Sequence, residues 1–266
     1  VGFNLSHNKN MLRKTYNGED LNDKVLGRPV YGIYTFKDEG IVQKEEDIPM
    51  YLNASGKQIP LYFQSINNPL RVGGRKIKDQ NYDGVIDDKD LYYAGSTLPA
   101  VYGGLNSHLE WKGLSFDVLF SYTISRKVMN MYKNSAFTFT KDFGVIMNYF
   151  HAGDFWTTSN RDAKYPSLEF ADKDYVGQFD GNVDSNIENI SFLRLKQLVI
   201  GYQIPKNWLK GSFIKDANVY LSGENLFLLT NYSGVDPEII NPYSGKDDGT
   251  QYPLNRKVTL GLNLKF

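Results

Sequence analysis

Val258-Thr259-Leu260-Gly261-Leu262-Asn263-Leu264-Lys265-Phe266, the closing stretch of the chain, decides the fold class. Side chains of an extended backbone alternate between two faces. Val258, Leu260, Leu262, Leu264 and Phe266 therefore share one face, with Thr259, Gly261, Asn263 and Lys265 on the other. This is a strand with a wholly apolar side. Such a side meets either a protein core or lipid, and the rest of the chain has to say which.

The same alternation recurs upstream. Val101, Leu105, Leu109 and Trp111 oppose Tyr102, Asn106, His108, Glu110 and Lys112. Lys112-Gly113 predicts a tight turn, after which Leu114, Phe116, Val118, Phe120 and Tyr122 form the apolar face of a returning strand. Leu193–Ile204 and Ala217–Leu228 are further candidates, the first changing phase near Lys196 and Gln197 in a way that requires a bulge. Val1, Phe3 and Leu5 already alternate with Gly2, Asn4 and Ser6. Six crossings are predicted, at residues 1–11, 99–112, 114–128, 190–204, 216–228 and 256–266, with Tyr31 to Phe36 as a possible extra strand. Helical periodicity is nearly absent.

Connections alternate in length. Lys112-Gly113 is tight and Pro205 to Asp216 moderate, whereas 12–98, Met129 to Asn189 and Leu229 to Asn255 are long, polar and aromatic-rich. Long structureless loops are uncommon in compact soluble domains. Outer-membrane barrels pair short periplasmic turns with long outer loops. With Lys112-Gly113 on the periplasmic side, the strand count returns Phe266 to that side too. The chain opens on strand, without a leader. A mature secreted domain would begin the same way; the expectation here is the C-terminal portion of a longer polypeptide.

The 266 residues carry 30 basic and 30 acidic side chains, so no basic excess favours nucleic acid as a partner. There is no cysteine, hence no disulfide, thiolate nucleophile or cysteine-based zinc site. Mean hydropathy is negative, and no run approaches the roughly 20 apolar residues of a membrane helix. Alternating strands escape that test.

One loop carries metal-type chemistry. Asp79-Gln80-Asn81-Tyr82-Asp83-Gly84-Val85-Ile86-Asp87-Asp88-Lys89-Asp90 follows a calcium-loop order of oxygen donors. Asp79, Asn81 and Asp83 would give side-chain oxygens and Val85 its carbonyl. Asp87 would act through water, and Asp90 would close the site. Position 12 is Asp rather than Glu, and no helix pair flanks the loop, so this is not an EF-hand. The alternatives are an acidic turn held by side-chain-to-backbone bonds, or another cation.

Catalytic motifs are missing: His7, His108 and His151 are far apart, there is no GxSxG, P-loop or GxGxxG, and nothing selects two of the 30 acids as a hydrolytic pair. No enzyme is expected. Trp111 and Trp208 suit an interfacial girdle, with ordinary core residues as the other reading. Trp156, near Phe155 and Tyr165, is expected to pack its loop rather than stack on a sugar.

Ser191-Phe192-Leu193-Arg194-Leu195-Lys196 with Gly201-Tyr202 and Pro205, Val219–Phe227, and Tyr232–Glu238 resemble segments of SusC/RagA-like TonB-dependent outer-membrane transporters. So do Phe3–Asn10, the Asp79–Asp90 loop, Phe155-Trp156-Thr157 with Tyr165-Pro166, and Tyr252–Phe266, all in the expected order. The resemblance covers the C-terminal part of such a transporter and spans residues 1–266. It implies an all-β chain that is the C-terminal portion of a large antiparallel transmembrane β-barrel, of about 22 strands in a full member, with long extracellular loops. It further implies the bacterial outer membrane and its lipid, a SusD-like surface lipoprotein over the mouth, and TonB acting through an N-terminal part beyond this chain. The implied substrate is an oligosaccharide or peptide. Calcium as a structural ion in the acidic loop is the expectation from that loop's own order of oxygen donors. The rival readings are a secreted soluble β-sandwich that binds glycans with a structural calcium, and a secreted glycoside hydrolase.

Overall fold

The structure, a computed structural model, describes residues 1–20, 24–131, 151–171 and 182–266. Residues 132–150 and 172–181 of the long predicted connection lie outside them. Strands in chain order are β1 (Gly2–His7), β2 (Gly32–Thr35), β3 (Asp38–Ile41), β4 (Met50–Leu52), β5 (Gln58–Pro60), β6 (Tyr62–Phe63), β7 (Arg75–Ile77) and β8 (Val85–Ile86). They continue with β9 (Tyr92–Ser96), β10 (Val101–Trp111), β11 (Leu114–Asn130), β12 (Ile187–Gln203), β13 (Asp216–Thr230), β14 (Lys246–Asp247) and β15 (Lys257–Lys265). The helical pieces among the described residues are short 3-10 turns. Among the described residues no helix is long and apolar enough to cross a membrane, which says nothing of strands.

All six predicted crossings are strands of one sheet. Its order is β1-β10-β11-β12-β13-β15, every neighbour antiparallel. The two-residue β14 joins it in parallel beside the far end of β11, a pairing the local pattern did not suggest. The β10–β11 turn is tight because Lys112 and Gly113 both take positive φ, 50° and 84°. Two successive positive φ values match the right-handed twist of the flanking strands. The bulge expected near Lys196 is present: the β12–β13 register slips between Leu195 and Gln197. It restores phase, so that Leu193 and Leu195 before it and Leu198, Ile200 and Tyr202 after it face the same way. A second irregularity lies between Thr123 and Arg126 of β11, where Ser125 has φ 55°.

β11 and β12 are 17 residues long and β13 is 15. A tilted strand needs only about 9–11 to cross a bilayer. Their loop-end segments run on into a separate module. Residues 31–98 fold into short two-stranded sheets, β2–β9, β3–β7, β4–β5 and β6–β8. Tyr31 to Phe36 thus does contain a strand, but it pairs with β9 and adds nothing to the main sheet. The module has a core of Val42, Ile48, Leu61, Phe63, Leu70, Ile77 and Ile86, completed by Val183 from the segment leading into β12.

Asp184 fastens the module to β12. Its carboxylate accepts from Lys37 Nζ at 2.6 Å, the Asp38 N–H at 2.9 Å and the Tyr92 hydroxyl at 2.6 Å. Burial alone would raise the Asp184 carboxyl, but these donors outweigh it and hold the group below its ordinary value. Asp38 is held in turn by Arg75 and by Ser185.

Candidate functional site

The register sorts the main sheet into two chemically different faces. One row runs Leu109, Phe116, Ile200, Leu221, Leu260 across five strands, and another Trp111, Leu114, Tyr202, Val219, Leu262. Phe3 and Leu5 of β1 extend this face beside Leu105 and Gly103. Its side chains are open to the surroundings, with Leu260 75% and Val258 66% exposed. A soluble β-sandwich would bury these residues in a dry core, and this face is not buried. Soluble monomers rarely expose apolar patches larger than a few hundred Å². At the turn end, exposed Trp111, Trp208, Phe213 and Phe266 ring the apolar rows, with Phe213 and Phe266 stacked at 5.6 Å. Aromatics suit the edge of such a band because one end of the ring tolerates water.

The opposite face is polar. Its rows read Asn106, Leu119, Gln197, Glu224, Lys257 and His108, Asp117, Val199, Ser222, Thr259. His108 bridges Asp117 at 2.5 Å and Glu110 at 3.2 Å. His7 instead bonds the Ala100 carbonyl at 2.8 Å. His151 lies far along the chain, so the histidines form no shared site.

At the loop end, residues 231–255 are tied down onto the polar face. Arg194 faces inward there and is buried, as is Asp236, which meets its guanidinium at 2.5 Å. Glu238 forms an ion pair with Arg194, 2.7 Å from Nε, and also pairs with Lys196, the bulge residue. Asp236 accepts the N–H groups of Glu238 and Leu254 at 3.0 and 3.2 Å, closing the loop on itself. Arg126 makes the second tie. Its buried guanidinium donates to the carbonyls of Thr97, Ile240, Asn241 and Pro237 at 2.8, 3.0, 3.2 and 3.4 Å. Tyr232 bonds Asp247 and packs with Val128, Ile190 and Ile240.

The sequence pattern singled out 232–238 and 191–196 as phrases without revealing that they bind each other. Arg126 was missed altogether. Its local signal was no more than a charge beside Lys127 near the loop end of β11. Beneath the tied loop, Leu98, Pro99, Tyr102, Phe192, Arg126 and Glu238 line a cavity of about 320 Å³.

The acidic loop folds as a chain of side-chain-to-backbone bonds. Asp79 accepts the N–H groups of Tyr82 and Gly84 at 2.7 and 2.9 Å. Asn81 accepts from Asp83 at 3.0 Å, and Asp83 from Val85 at 3.0 Å. Asp87 accepts from Lys89 at 2.8 Å, and Asp90 from Gln80 and Asp87 at 2.7 and 2.9 Å. Gly84 is required twice over, by φ 83° and by the Tyr51 ring against its Cα. Burial raises the Asp90 carboxyl, backbone N–H groups pull it down, and the charge of Asp79 pushes it up again. Tyr51, half-buried and bonded to Asp79, is pushed up to about 12. Among the described residues no three His, Cys, Asp or Glu side chains converge as a metal site requires. The expected donors are therefore near one another along one loop but serve the backbone in this arrangement.

Trp156 is 7% exposed, donates Nε1 to Gln43 at 3.0 Å and lies against Gly73. Its ring packs the loop and is not offered to a sugar.

No family model matches the sequence. TonB-dependent receptor P26 of Formosa agariphila is 32% identical over 83% of this chain and 23% of its own length. TonB-dependent receptor SusC of Bacteroides thetaiotaomicron is 31% identical over 71% of the chain and 17% of its own. A solved structure of the RagAB peptide importer in an open-open state aligns over 99% of the chain and 26% of its own, with TM-score 0.65 and 25% identity. Another, of the RagAB peptide transporter, gives TM-score 0.64 at 22% identity and shares the fold. The chain thus spans about a quarter or less of the length of these proteins.

Proposed function

In sequence and fold this chain corresponds to the C-terminal part of SusC/RagA-like TonB-dependent receptors, and from that premise we propose that it forms wall strands and outer loops of a nutrient importer. The apolar rows face outer-membrane lipid and the polar rows face the lumen. The Lys112-Gly113 turn lies on the periplasmic side, and the 31–98 module and the 231–255 loop lie outside. The observation that carries this is the register, which places apolar residues of five strands in common exposed rows while the reverse face is polar. The role is transport rather than catalysis.

The partner is a SusD-like surface lipoprotein over the outer mouth, a reading supported by the likeness to SusC and to the RagAB peptide importer. Energy comes from TonB through an N-terminal part outside this chain. The cargo is an oligosaccharide or peptide. The cavity under the tied loop, with Tyr102 and Glu238 on its wall, lies where cargo would pass.

The test is a denaturing gel of the source outer-membrane fraction, probed at the Phe266 end with and without boiling. A heat-shifted band several times heavier than this chain is expected. A soluble, unshifted band the size of this chain alone overturns the reading.

Calcium is proposed at the acidic loop, with Asp79, Asn81, Asp83, Val85, Asp87 and Asp90 supplying oxygen, to stiffen the outer module. Two carboxylates favour it: Asp79 and Asp90 are buried, and the first raises the pKa of the second, a repulsion that a cation would relieve. Calcium titrated into the intact receptor should release or absorb heat, and Asp83→Ala should abolish the signal. No heat from either protein sinks the proposal.

A further inference from the structure

The apolar face is not uniform. Near the loop end, Tyr122, Thr123 and Ile124 of β11, Ser191, Phe192 and Leu193 of β12, and Leu229, Thr230 and Asn231 around the end of β13 surround a groove of about 510 Å³. Regular pairing fails at this level. The β11–β12 register breaks between Thr123 and Arg126, and the β12–β13 ladder ends at Phe192 and Thr230. Side chains bridge the gap instead: Ser125 N–H to Ser191 Oγ at 3.1 Å, Ser191 N–H to Asn231 Oδ1 at 2.8 Å, and Asn231 Nδ2 to the Asn189 carbonyl at 2.9 Å. The result is a notch in the wall with apolar sides and an amide-and-hydroxyl rim.

We propose that this notch seats one acyl chain of an outer-leaflet membrane lipid, an inference that rests on the membrane orientation proposed above. The notch is continuous with the exposed apolar rows, so its natural filling is what covers those rows. Its lining carries no charged side chain, which leaves nothing to hold an anionic or cationic group by itself. Its volume falls within the roughly 300–1,000 Å³ of small-ligand sites. Its polar rim stands where acyl chains give way to ester and headgroup oxygens. Ile124 and Leu229, 49% and 61% exposed, would be covered by the chain.

The experiment is native mass spectrometry of the intact receptor, stripped of lipid in detergent and titrated with lipid A, the acylated anchor of the outer leaflet. Wild type should retain one lipid per receptor. Ile124→Trp, which fills the notch, and Leu229→Ala, which removes one of its walls, should each bind about tenfold more weakly, because several methylenes lose their cover. Leu260→Trp, on the same face away from the notch, should bind as wild type. All variants must keep the heat-shifted band, which shows that they fold. Equal retention by all four proteins would mean only unspecific surrounding lipid and overturns the proposal, as does the absence of a one-to-one species. A receptor that needs no detergent would instead overturn the membrane reading itself.

Discussion

Leu260→Arg separates a lipid-facing wall from a water-facing one by both sign and size. β15 has nine residues, so at roughly 3.3 Å each it spans about 30 Å along the strand. Tilted by about 40°, as barrel strands are, it crosses roughly 23 Å, close to the apolar band of about 25 Å. Leu260 is its fourth residue, about 8 Å below the loop-end edge on that geometry and close to mid-depth. Arginine near the midplane of a barrel wall costs about 2–4 kcal/mol, so Leu260→Arg should destabilise the receptor in lipid vesicles by about 2–3 kcal/mol. Were the face bathed in water, replacing a side chain that is 75% exposed would change stability by less than about 0.5 kcal/mol. The two cases differ some thirtyfold in the unfolding constant. Guanidinium titration of vesicle-reconstituted receptor, followed by tryptophan fluorescence, measures the difference. Thr259→Arg, one residue along on the polar face, is the companion and should stay within about 1 kcal/mol of wild type. Equal effects at 259 and 260 would refute the assignment of faces.

The remaining predictions concern the loops. Asp236→Ala leaves Arg194 buried against Glu238 without its nearest carboxylate and should cost about 3–5 kcal/mol. Hydrogen exchange should show the loss as faster exchange across 231–255, with the barrel strands unchanged. Asp184 has a lowered pKa, so its stabilisation is present above the ordinary carboxylate value of about 3.9 and disappears as pH falls through its lower folded value. Proteolysis of the 31–98 module should accelerate in that acid window, and Asp184→Asn should cut at the fast rate at neutral pH with little further change on acidification. Trp156→Ala should cost about 3–5 kcal/mol, seen as lost protection around Gln43 and Gly73 in hydrogen exchange, because it empties a buried site.

The strands were legible because a strand facing two different media writes that difference into every second residue. Even the bulge at Lys196 showed, since it interrupts an otherwise regular alternation. The irregularity at Thr123–Arg126 did not show, because apolar Ile124 keeps the phase while Ser125 breaks it only in the backbone. The short strands of 31–98 were hidden for another reason. Two to five residues carry no period, and outside the local β4–β5 hairpin their partners lie tens of residues away. Arg126 and Asp184 were unreadable on the same ground. Their meaning is the set of carbonyls and donors that the fold brings to them. The acidic loop was legible in its order of donors, yet sequence could not say that the backbone N–H groups would claim those oxygens.

The module between β1 and β10 leaves and re-enters the wall at adjacent places, for His7 pairs with Val101. Roughly ninety residues separate these partners in the chain. Bringing the ends of so long a flexible segment together costs about 4 kcal/mol in closure entropy. A module that has already formed its own core holds its two ends near each other and removes most of that cost. Assembly of the wall should then follow a set sequence, with the outer module collapsing first and β1 zipping onto β10 afterwards. A substitution that loosens the Val42–Ile86 core would be felt first as a delay in closing the wall, before any change in the finished structure.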